Sequence, residues 1–267
     1  MKQLIDFDAQ FNQYMDDWAE ALLKKGKKPE EIEEMIPDAY QDWAKKAKEY
    51  FDDLTPNELV EMLGAYLDED INVPDILLDK IIETKDCEQG VYNLFMEERS
   101  DNERVTLMNV LADMGSKLPT RENINILCFS ESEALAEAAA EALKYAGKDA
   151  QEELLSIYEE ERDIDALEKI IYVLVYSEPK VEGLGEKLIS LMKVSENKAI
   201  IAGMMAFYGD EKCLPVLKAM QDYEGINYID YVEICDAIEA LGGETARERE
   251  FDGDEYYEMM HNGGFEA

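Results

Sequence analysis

Apolar positions along the chain recur with the period of a helix. Phe7, Phe11, Tyr14, Trp18 and Leu22 follow at steps of four, three, four and four, which lays one stripe along a helical face. Tyr40, Trp43, Ala47, Tyr50 and Leu54 repeat the arrangement, so two aromatic-faced helices are predicted to zip together, with Trp18 and Trp43 buried and close. Pro29 opens a short segment between them, since a first turn has no use for the missing N–H, and Pro37 is expected to break that segment before Asp38. Thr55-Pro56-Asn57-Glu58 has the spacing of a capping box and predicts a further helix from Pro56. No run alternates with period two for long, so the fold class is all-α.

A repeat organises the middle of the chain. Met114, Tyr145, Tyr176, Tyr208 and Leu241 each close a helical pattern at intervals of 31, 31, 32 and 33 residues, and a glycine follows four of them within two positions. A second periodic segment follows, as in Leu154-Leu155, Leu188-Ile189 and Leu214 to Met220. Each unit reads as helix, turn, helix, and such a pair buries its apolar faces only by stacking on the next. The expected architecture is an α-solenoid of stacked antiparallel helix pairs. An aromatic-rich helical cap occupies residues 1–65, repeats occupy 66–244 and an acidic tail occupies 245–267. In that tail Tyr256, Tyr257, Met259 and Met260 are expected to form a short docking helix that covers the open end of the last repeat, before Gly263-Gly264 ends it. The run Arg247-Glu248-Arg249-Glu250-Phe251 ahead of it offers no long apolar face.

Cys213-Leu214-Pro215-Val216-Leu217 opening a second helix, after Ala206-Phe207-Tyr208-Gly209-Asp210 closing a first, resembles HEAT and HEAT-like repeats. Ala237-Ile238-Glu239-Ala240-Leu241-Gly242 is similar to the end of another first helix of that family. The resemblance covers about residues 100–244, with a period shorter than the armadillo type and without the arginine often found in the first helix. It implies a right-handed superhelix that binds other proteins.

Composition narrows the function. Against 63 Asp and Glu stand 26 Lys and Arg, a net charge of −37. The acid is spread along the chain, with 15 acids and 8 bases in residues 1–60 and 7 against 2 in residues 245–267. Direct nucleic-acid binding needs cations to displace counterions, and anionic membranes repel such a surface, so neither partner is expected. No stretch is apolar for 18 residues and acids interrupt the first positions, so neither a membrane span nor a signal peptide is expected, and a cytoplasmic location follows. The favoured partner is a protein with a basic surface. The sequence leaves the oligomeric state open.

Catalytic chemistry has little to stand on. The single histidine, His261, lies in the tail, no phosphate-binding glycine motif occurs, and Cys87, Cys128, Cys213 and Cys235 are too far apart for a zinc knuckle. Asp68-Glu69-Asp70-Ile71-Asn72 begins like a calcium loop but has Val73 where a glycine makes the sharp turn. Neither cofactor nor metal is expected, and the chain reads as a non-enzyme. Its candidate binding residues are Lys117, Lys148, Lys180 and Lys212, three or four positions after successive anchors, with the anchors Tyr145, Tyr176 and Tyr208. Stacked repeats would align these lysines along one ridge, where they either meet the negative ends of helices or form a ridge for an acidic peptide or small anion. The leading function is a protein-interaction scaffold. The alternatives are an inhibitor that imitates nucleic acid or an immunity-type inhibitor of a basic protein, and an enzyme on a HEAT-like scaffold.

Overall fold

The computed structural model describes residues 2–69, 71–245 and 249–261. Asp70, Arg247, Glu248 and Gly263-Gly264 lie outside the described residues, as does the side chain of His261. The described chain is helical without a strand and divides into two compact units, Met1–Arg121 and Glu122–Ala267.

The first unit holds α1 (Phe7–Lys24), α2 (Pro29–Glu33), α3 (Ile36–Lys48), α4 (Pro56–Asp68), α5 (Asp75–Glu83), α6 (Glu88–Phe95) and α7 (Asp101–Asp113). The starts of α1, α4 and α7 are written in short polar side chains. Asp6 accepts the Ala9 N–H at 2.9 Å, and Thr55 with Glu58 and Ser100 with Glu103 form reciprocal capping boxes before α4 and α7. Pro37 does not break a helix but sits in the first turn of α3, where its missing N–H goes unneeded.

The aromatic zip between α1 and α3 is present. Phe11 lies 4.9 Å from Trp43 between ring centroids, and Phe7 lies 5.5 Å from Phe51 and 5.9 Å from Tyr50. Trp18 and Trp43 are nevertheless half-buried rather than enclosed, and it is Trp43 that meets the rings of Phe7, Phe11 and Tyr40. Tyr66 is fully buried and fastens the segment before α1, donating its hydroxyl to Ile5 O at 2.8 Å while accepting the Ile5 N–H at 3.1 Å. Since α5 packs on α3 and α4, and α6 on α4, residues 1–65 share their unit with the helices that follow.

The second unit contains α8 (Thr120–Phe129), α9 (Glu133–Lys144), α10 (Lys148–Glu160), α11 (Ile164–Tyr176), α12 (Gly185–Val194), α13 (Lys198–Tyr208), α14 (Leu214–Gln221), α15 (Tyr228–Ala240) and α16 (Glu255–His261). Here α11 packs on α9, α13 on α11 and α15 on α13, while α10, α12 and α14 meet the helices that follow them. The core is aliphatic and methionine-rich, with Ile170, Leu174, Leu188, Met192, Ile201 and Met205 fully enclosed. Each anchor of the sequence repeat falls at the last residue of a helix or at its C-cap. Gly209 ends α13 at φ +78°, a left-handed conformation that a side chain would strain.

The tail docks differently from its apolar pattern. Of Tyr256, Tyr257, Met259 and Met260, only Tyr257 turns inward, 5.2 Å from Tyr228 and 5.8 Å from Phe251, and the others are exposed. Phe251 is buried against Tyr231 at 5.0 Å. Arg249 donates to the carbonyls of Gln221, Tyr223 and Glu224 at 3.3, 2.9 and 3.0 Å, tying the tail to the last carbonyl of α14 and to the turn that follows it.

Candidate functional site

Two runs at a step of four define one surface of α9. Ala136, Ala140 and Lys144 share a face, and Glu133, Glu137 and Glu141 stand beside it. The alanines are buried but short, so the neighbouring helices leave a recess of about 620 Å³ above them. Leu127 from α8, Tyr172 from α11 and Ile200 from α13 complete its apolar lining. Five glutamates (131, 133, 137, 141 and 168) ring it, against Lys169 alone.

Lys144 is the buried charge beside this groove, only 8% exposed. Its ammonium donates to Glu141 Oε1 at 2.5 Å and to the Tyr172 hydroxyl at 3.3 Å. It also lies 4.6 Å from the Tyr172 ring centroid and 5.4 Å from that of Tyr176. Burial works to lower its pKa, but the bonds to Glu141 and Tyr172 outweigh that and hold the group above its ordinary value. Glu168 is fixed through one oxygen only. Oε2 accepts Asn197 Nδ2 at 2.6 Å, whereas Oε1 is shielded from solvent and has no hydrogen-bond partner. A buried acceptor left open in this way is uncommon.

The structure brings Tyr176, Lys180 and Tyr208 together at a second recess of about 490 Å³. Lys180 donates to the Tyr208 carbonyl at 2.9 Å and sits 4.6 Å from that ring's centroid, so it serves the last carbonyl of α13. Tyr176 stacks on Phe207 at 4.3 Å. The other sequence candidates have separate surroundings. Tyr145 is 71% exposed, Lys148 is the exposed first residue of α10, and Lys117 is exposed in the loop before α8. Lys212 lies in the short turn Glu211–Cys213, where its N–H donates to Asp210 Oδ1 at 3.0 Å. Sequence reasoning missed Lys144, Glu141 and Glu168. The usable signal was a lysine in register with two alanines on a helix face, flanked by glutamates at the same step.

The first unit has a recess of its own, about 550 Å³ over α3, α5 and α7, with Leu78, Ile82 and Val110 below and Asp75, Asp79 and Asp113 around it. Among the described residues no three His, Cys, Asp or Glu are placed to hold a metal ion, and no helix is long and apolar enough to cross a membrane. All four cysteines are free thiols, and burial pushes Cys87, Cys128 and Cys213 up to about 11. Comparison with known protein families, curated proteins and solved structures finds no match to this chain.

Proposed function

We propose that this chain is a non-catalytic protein-interaction scaffold, a HEAT-like solenoid in which the groove over α9, α11 and α13 receives a basic segment of a partner protein. The observation that carries this reading is the groove itself, apolar at its base and ringed by five glutamates with a single lysine. Apolar area supplies affinity, and the carboxylates select the sign of the partner and speed its arrival. The order in which α9, α11, α13 and α15 pack, with second helices interleaved, supports the layered architecture. An inhibitor that imitates nucleic acid would present carboxylates to a basic cleft and has no need of an apolar base, so the groove favours a protein segment.

A photo-crosslinking residue in place of Ile200, whose side chain is exposed, tests the proposal in native extracts. The expected adducts map to Lys- and Arg-rich peptides and disappear when Glu133 and Glu137 are replaced by lysine. Adducts to acidic peptides, or adducts indifferent to those replacements, would overturn it.

A further inference from the structure

We infer that the occupant of this groove is a short amphipathic α-helix of the partner, apolar where it meets Ala136, Ala140 and Ile200 and bearing Lys or Arg along its flanks. This rests on the reading above and adds the occupant's shape. The lining side chains come mainly from α9, α11 and α13, whose backbone groups are used within the helices themselves, and no strand edge exists among the described residues. An extended segment lying here would find no backbone ladder: carboxylates at the rim could accept some of its N–H groups, but they offer no donor to its C=O groups. A helix brings those groups already satisfied and offers only side chains to the groove. Adjacent helices pack about 10 Å apart, so α9 to α13 spans about 20 Å, the length of about 13 helical residues.

The flanks follow from the charges. At one place the chain already shows how this surface holds a cation, with Lys144 between the Glu141 carboxylate and the rings of Tyr172 and Tyr176. Glu137 and Glu133, one and two turns back, are exposed and free to meet cations from outside. Glu168, held by Asn197 through one oxygen, adds a fixed negative charge to the rim that draws an arriving ammonium or guanidinium.

The experiment selects binders to the full-length protein from a displayed library of random 16-residue peptides, then measures the enriched peptides by fluorescence anisotropy. The expected winners carry apolar residues at i, i+3 or i+4, and i+7, with Lys or Arg between. A proline placed in the middle of a winner should weaken it at least tenfold, as should Glu137→Lys or Ile200→Glu in the protein. Both protein positions are exposed, and an unchanged melting temperature establishes that the variants fold. Basic winners that tolerate the central proline overturn the helical shape and leave the basic groove standing. Winners without Lys or Arg, winners indifferent to both protein variants, or no winners at all overturn the groove reading itself.

Discussion

The recess over α3, α5 and α7 and the one over α9, α11 and α13 share a plan, with apolar side chains below and carboxylates around. They differ in the length of the side chains used. In the first unit leucine, isoleucine and valine fill the base and aspartates stand above it. In the second, alanines thin the base and longer glutamates ring it. Cations differ as well. In the first unit the buried cation is Arg99, held by the carboxylates of Asp68 at 3.1 Å and Glu97 at 2.8 Å, while Lys80 and Lys48 form more exposed pairs. In the second, Lys144 is buried against aromatic rings as well as Glu141. The recess over α9 thus sets long acids beside small residues, where the one over α3, α5 and α7 sets short acids beside larger ones.

The largest effect with which to break this comparison is truncation of the support. Leu77 and Leu174 are fully buried in their respective units, and Leu77→Ala and Leu174→Ala should each cost about 2–5 kcal/mol in urea unfolding. A much smaller cost at Leu77 would mean that the core of the first unit is packed less tightly than that of the second. Thiol labelling probes the same contrast in the native state. With Cys87 and Cys213 both pushed up to about 11, labelling at pH 8 should run about a hundredfold slower than for an ordinary thiol, and half-buried Cys235 should react first. Unequal rates at Cys87 and Cys213 would show which unit opens more readily.

The buried cation gives a smaller effect. Lys144→Met should cost about 1–2 kcal/mol, from a desolvated cation–π contact and a lost hydrogen bond. Lys80→Met should cost only about 0–1 kcal/mol, as for exposed pairs. Because the Lys144 pKa is raised, its stabilisation is complete at neutral pH and is lost as pH climbs beyond the ordinary lysine range through the raised value. The gap between the native protein and Lys144→Met should close over that window. The smallest effect is at a helix start, where Ser100→Ala removes the cap of α7 and should cost about 1 kcal/mol by thermal melting.

Much of the fold was legible because helix ends and stripes are local. Thr55, Pro56 and Glu58 mark the start of α4 without reference to anything distant, and the stripe of Phe7 and Phe11 finds its partners in Trp43 and Tyr50. Pro37 misled because the same residue both interrupts a helix and opens one, and only the chain before it decides which. The tail misled for another reason. Arg249 and Phe251 dock one at a time from an irregular segment, so no periodicity announces them, while Met259 and Met260 look apolar and stay exposed. The groove was the least legible. A lysine in step with Ala136 and Ala140 reads as a solvated position until Tyr172 and Tyr176 arrive from a helix some 30 residues on, and the shielded, unpartnered oxygen of Glu168 has no sequence signature at all.

The bond from Lys180 to the Tyr208 carbonyl ties the loop after α11 to the far end of α13, so it bears on how the second unit responds to force. Drawing that loop away from α13 would load the bond directly. A hydrogen bond at 2.9 Å gives way within about an ångström of travel, whereas apolar surfaces slide and re-pack over longer distances. Between these two helices the second unit should therefore be stiff under a small pull and yielding under a larger one.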